Sequence, residues 1–144
     1  MLVDTKRIKE SLVLAGIEVF RTRPEEIQVA ERVRSHIMDS GVRVHVSPDG
    51  MLQVRFTART QGSDYPSVPA AELVARVRAA IGETARTQGF AEFSFDSVVV
   101  KDPVDSARTL DVWHEVAYAK TVVGMDEIVE SVRWALALER YVMP

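Results

Sequence analysis

Between Val42 and Arg59 apolar and polar residues alternate along two successive runs. Val42, Val44 and Val46 are interleaved with Arg43, His45 and Ser47, and Leu52, Val54, Phe56 and Ala58 with Gln53, Arg55, Thr57 and Arg59. This period of two marks strands with one buried and one wet face. Ser47-Pro48-Asp49-Gly50 joins the runs: proline presets φ, aspartate bonds its own backbone, and glycine takes the left-handed position that returns the chain. The pattern predicts a β-hairpin. A second, larger hairpin follows from Phe90–Lys101, rich in aromatic and β-branched residues, and Thr109–Val122. In the latter, Leu110, Val112, His114, Val116 and Tyr118 share one face and Asp111, Trp113, Glu115, Ala117 and Ala119 the other. The charged stretch Lys101–Arg108 is their loop.

Elsewhere the period lengthens to that of a helix. Ile8, Leu12 and Ala15 predict a first helix stopped by Gly16, and Ile17, Val19 and Phe20 a short extended piece after it. Thr22-Arg23-Pro24-Glu25 has the form of a capping box with proline in the first turn, and Ile27, Ala30, Val33, Ile37 and Met38 follow at helical spacing. A second helix is therefore expected up to Ser40-Gly41. Gln61 to Pro66 is a breaker-rich loop. Beyond it Leu73, Val74, Val77, Ala80, Ile81 and Ala85 predict a third helix, closed by Gln88-Gly89. Asp126 and Glu127 open a last helix with Ile128, Val129, Val132, Ala135 and Leu136 inward. Trp134, Leu138 and Tyr141 lie off that stripe, so another surface is expected to cover them. The elements predict an α+β fold, a mainly antiparallel sheet of four to five strands in two hairpins with helices packed on it, in the order α-β-α-ββ-α-ββ-α. Residues 1–144 read as a single domain.

Composition narrows the class. The apolar fraction of 47% supplies a core for one domain, and a net charge of −3 lacks the basic excess of most nucleic-acid binders. With no cysteine there are no disulfides, thiolate metal sites or cysteine nucleophiles. No apolar run approaches a membrane span and the amino terminus carries charges where a signal peptide needs an apolar stretch, so a cytoplasmic protein or a component of a soluble particle is expected. Arginine outnumbers lysine fourteen to four, as a GC-rich genome favours, or as interfaces do, where the guanidinium fork suits ion pairing.

Motifs for chemistry are sparse. The seven glycines have neither Walker nor dinucleotide spacing. His36 falls on the expected second helix, His45 on a polar strand face and His114 on an apolar one, none with a ligand-spaced partner, so no metal is expected. His114-Glu115 begins like a zinc-protease motif, but the position of its second histidine holds Tyr118. No catalytic residue and no cofactor are assigned. A small ligand-binding domain or enzyme with a pocket near His114 is kept as an alternative.

Charge on the sheet's polar face carries the functional expectation. The first hairpin shows Arg43, Arg55 and Arg59 there, and the second Glu92, Asp96, Asp111 and Glu115 around Trp113. These pair across strands within one sheet, or dock a basic surface against the acidic surface of a neighbouring copy. With Trp134, Leu138 and Tyr141 they form the candidate interface. From Thr22 to Val122, the order helix, short-turn hairpin, breaker-rich loop, long helix and two long strands ending Thr109-Leu-Asp-Val-Trp-His-Glu-Val-Ala-Tyr resembles the tail-terminator and tail-completion proteins of tailed bacteriophages. This chain has an extra carboxy-terminal helix. The resemblance implies a non-enzymatic structural subunit of a homo-oligomeric ring, a virion component that contacts other assembly proteins. The order is also similar to that of type III secretion chaperones, which implies a dimeric chaperone or adaptor.

Overall fold

The computed structural model describes residues 4–142. Three helices and six strands follow in the order α1 (Thr5–Leu14), β1 (Val19–Arg23), β2 (Glu26–Val33), β3 (His36–Val46), β4 (Leu52–Gln61), α2 (Ala70–Thr87), β5 (Ala91–Lys101), β6 (Thr109–Val122) and α3 (Met125–Ala137), with a 3-10 turn at Gly62–Asp64. The strands form one sheet in the order β1-β2-β3-β4-β6-β5. The fold class is α+β, with an antiparallel sheet of six strands instead of four to five. No helix among the described residues is long and apolar enough to cross a membrane.

The helix expected between Thr22 and Ser40 is the correction. Those residues form the end of β1, all of β2 and the start of β3. Thr22 to Glu25 does not cap a helix: Pro24 and Glu25 are the tight turn between β1 and β2, with Arg23 opposite Glu26. β2 and β3 are joined at Arg34-Ser35, both with positive φ (52° and 68°), and Val33 pairs with His36 across it. That geometry matches strand twist in a two-residue hairpin. The register shifts between Gln28 and Ala30, which pair with Arg43 and Asp39. A bulge at Ser40-Gly41, with Gly41 at φ +80°, accommodates it. Ser40 Oγ donates to the Val29 carbonyl (2.6 Å) and accepts from Val42 N–H (3.1 Å). The residues read as a helix stop are therefore a bulge. The bulge also breaks the alternation, leaving Ile27, Gln28, Val29 and Ala30 buried in succession; together with polar Glu31 this disguised a strand.

The chain divides into two compact units, Met1–Phe56 with Ala119–Leu138 and Thr57–Tyr118 with Glu139–Pro144; β4 and β6 run through both. In the first, Ile27, Val42, Val44 and Val54 form the apolar face of the strands, packed with Ile8 and Leu12 of α1 and Ile128 and Val132 of α3 as a buried core. Asp4 caps α1 by accepting from Arg7 N–H (2.9 Å), and the β3–β4 turn has the expected form, with Gly50 at φ +84° donating to the Ser47 carbonyl (2.9 Å). In the second unit, Ala58, Thr60, His114, Val116 and Tyr118 are buried together with Leu73, Val77, Ile81 and Ala85 of α2. The β5–β6 loop closes with Asp102 N–H on the Arg108 carbonyl (2.9 Å).

Candidate functional site

In the first unit the polar face brings Arg43 and Arg55 directly opposite one another. Like charges so placed repel, and each guanidinium turns to an acceptor. Arg43 makes a two-pronged contact with Asp39 (2.5 and 2.7 Å) and lies 3.7 Å from Glu26, while Arg55 donates twice to the Gln53 side-chain oxygen (3.0 and 2.7 Å). Burial works to raise the Asp39 pKa, but the hydrogen bonds from Arg43 and Gly41 N–H and the charges of Arg43 and Arg21 outweigh it, holding the carboxyl below its ordinary range. His36 opens β3 and is exposed; it is not on a helix.

In the second unit Arg59, Asp111, Trp113 and Glu115 come together. The Arg59 guanidinium lies 4.3 Å over the Trp113 ring, whose indole N–H donates to Asp111 (2.9 Å). The other Asp111 oxygen accepts from Ser63 N–H (3.1 Å). Partial desolvation would raise Asp111, and the donors from Ser63, Trp113 and Val112 hold it below the usual range. Burial pushes Glu115 up; the Arg59 charge opposes that and the Asp96 charge adds to it. Glu92 stands apart, held by two hydrogen bonds from Arg78 of α2 (2.9 and 3.1 Å), and that guanidinium lies 5.2 Å from the Phe95 ring.

The carboxy-terminal candidates separate. Trp134 meets Phe56 edge to face within the first unit, centroids 5.9 Å apart at 66°. α3 ends at Ala137 with Leu138 as its cap, so Tyr141 is not on the helix. Tyr141 instead bridges to Arg59 in a short parallel pairing, with Arg59 N–H on the Arg140 carbonyl (2.9 Å), Val142 N–H on the Arg59 carbonyl (2.8 Å), and the Tyr141 hydroxyl donating to Gln61 (3.3 Å).

A cleft of about 310 Å³ opens in the second unit, lined by Gly62, Tyr65, Pro66, Leu73, Leu110 and His114 among others. His114 is buried and its Nδ1 lies 3.0 Å from the Ser97 hydroxyl. Gly62 is required: a Cβ there would stand 2.9 Å from the Val112 carbonyl oxygen. The breaker-rich loop was the sequence signal for this wall; that it folds back beside His114 was not readable. A cleft of mixed lining, with Thr109 and Asp111 beside the His114 imidazole, can hold a small ligand through shape and a few hydrogen bonds. Among the described residues no group of three or more His, Asp and Glu side chains is placed to hold a metal ion.

No protein-family model, curated protein or solved structure matches the chain.

Proposed function

We propose that this chain is a non-enzymatic structural subunit of a homo-oligomeric assembly, of the ring-forming kind that the tail-terminator and neck proteins of phages represent. One observation carries the reading. β5 is an outer strand of the sheet, eleven residues long, and it exposes Phe93 (50%), Phe95 (58%) and Val99 (48%), with Leu110 (48%) on β6. Phe93, Phe95 and Val99 alternate with other residues and share a side with Ser97, which reaches His114. A long, apolar open edge is a template for pairing with another chain, and free-standing proteins usually blunt such edges with proline, inward charges or a covering loop. β5 has no proline and a single lysine at its far end. Size exclusion with light scattering tests the proposal. A defined multimer at about 100 μM, weak-contact range, is expected; a monomer at that concentration overturns it. A strict dimer that captures one client segment supports the adaptor reading instead.

The cleft beside His114 supports a second reading, a small-ligand site. Ligand-observed NMR with a fragment mixture tests it. Binding that is lost in a folded His114→Ala variant supports a site, and unchanged spectra leave His114 a core residue.

A further inference from the structure

We infer that copies of this chain join head to tail by pairing β1 of one copy with β5 of the next. The inference deepens the assembly reading above and rests on it. β1 and β5 are the two outer strands of the sheet, so each has a row of backbone donors and acceptors facing outward.

Charge selects among the three possible edge pairings. β1 is Val19-Phe20-Arg21-Thr22-Arg23, with two arginines and no acid. β5 carries Glu92 and Asp96 in its first six residues. Asp96 makes no ion pair among the described residues, its carboxylate accepting only Ser97 N–H (2.8 Å), and Arg23 makes none either. β1 on β1 sets arginine against arginine, and β5 on β5 sets acid toward acid; both are penalised across a sheet. β1 on β5 sets the two arginines of β1 toward the two acids of β5.

The sides of the strands agree as well. In the first unit Arg21 pairs with Gln28 and Arg23 with Glu26 on the polar face, while Thr22 pairs with Ile27 on the apolar face; Phe20, 41% exposed, is the extra residue where the register shifts between Val19 and Arg21, and the Arg21 guanidinium lies 6.0 Å from its ring. In the second unit Phe93, Phe95 and Val99 share the side of Ser97 and His114, and Asp96 influences Glu115 on the opposite side. An antiparallel pairing with Thr22 opposite Phe93 sets Arg21 opposite Ser94 within diagonal reach of Asp96, and Arg23 opposite Glu92, which Arg78 already binds from its own chain. Thr22 meets an exposed aromatic on one side and base meets acid on the other. Such an edge addition uses backbone hydrogen bonds for affinity and side chains for register. Because the two edges differ, the contact is heterologous and each copy uses both, which is how rings close.

Two charge variants test this by light scattering and sedimentation, with circular dichroism as the check on folding. Arg21→Glu with Arg23→Glu reverses β1; Ser94→Lys with Asp96→Lys reverses β5 and leaves the Glu92–Arg78 pair intact. Each alone is expected to weaken association at least tenfold, and an equimolar mixture to restore it, since the reversed β1 then meets the reversed β5. Multimers unchanged in either variant, or no recovery on mixing, overturn the inference while leaving the assembly reading standing. A wild-type monomer overturns both. A second measurement keeps all charges: the chain has no cysteine, so Thr22→Cys with Phe93→Cys in one chain should give a covalent ladder beyond dimer on oxidation. Dimers from Phe93→Cys alone, with no ladder from the double variant, indicate a two-fold β5 pairing and refute the head-to-tail contact.

Discussion

Replacing Arg59 with methionine asks whether this arginine serves its own subunit or a neighbour. Methionine keeps the aliphatic stem and removes the guanidinium that lies 4.3 Å over Trp113. A cation held over an indole contributes about 0.5–2 kcal/mol depending on desolvation, and Arg59 is half-buried, so a loss of about 1–2 kcal/mol is expected. For 144 residues, at about 2.1 cal/mol/K of unfolding entropy per residue, each kcal/mol lowers Tm by about 3 °C. The variant should therefore melt about 3–6 °C below the parent in dilute solution, with its oligomeric state unchanged. The pH dependence has a definite sign. Glu115 is raised in the folded protein by burial, and the Arg59 charge partly offsets that. A carboxyl with a raised folded pKa destabilises as pH climbs from its unfolded value through the folded one. Without Arg59 the folded value rises further, so the deficit of Arg59→Met should be smaller near pH 4, where Glu115 is protonated, than near pH 7. Melting curves across that range, with light scattering on the same samples, decide it. A shift under about 1 °C accompanied by dissociation of the multimer would refute the intrasubunit assignment and place Arg59 at a contact between copies.

Three further outcomes follow from local geometry. Arg34→Asn with Ser35→Gly relieves two positive-φ positions in the β2–β3 turn and should raise the urea midpoint by the equivalent of about 1 kcal/mol; no gain would mean that the turn is not left-handed. Asp39→Asn should cost about 0.5–1 kcal/mol near pH 7, since its contact with Arg43 is near the surface. Because the folded pKa of Asp39 is depressed, that deficit is present above its unfolded value and should vanish as pH falls through the folded one, which urea midpoints at descending pH will follow. Gly62→Ala drives a methyl against the Val112 carbonyl oxygen and should destabilise by about 1–3 kcal/mol, read from the shift in denaturation midpoint.

The sequence made legible every element whose local chemistry and tertiary role agree. The β3–β4 hairpin, the β5–β6 hairpin and all three helices fall close to where alternation, caps and glycines put them. The stretch from Thr22 to Ser40 failed because three local signals coincided with helix chemistry. Pro24 serves a strand turn as well as a first helical turn, Arg34-Ser35 turns without the glycine or asparagine that advertises such geometry, and the bulge at Ser40-Gly41 shifts the period of its partner strand. One consequence reached the candidate interface. On a helix ending at Gly41, Asp39 has no reason to meet Arg43; in a bulged strand it lies on the same side four residues away and accepts both prongs of the guanidinium.

That pairing changes where association can draw its specificity. On the broad polar face each basic candidate has a partner inside its own unit: Arg43 with Asp39 and Glu26, Arg55 with Gln53, Arg59 with Trp113. A neighbour docking there must break those contacts as it makes new ones, and little is left as net attraction. At the sheet edges the balance differs, because Arg23 and Asp96 have no ionic partner among the described residues and the backbone groups beside them are unpaired toward the outside. New backbone hydrogen bonds there, and a charge pair between Arg21 and Asp96, replace water, while Arg23 meets a Glu92 that Arg78 already holds. Under the proposed pairing, the broad face stabilises each unit and the edges select the neighbouring copy. Arg59→Met should therefore move the melting temperature and leave the multimer intact, whereas Arg23→Glu, at an exposed edge position opposite Glu26, should chiefly weaken the multimer.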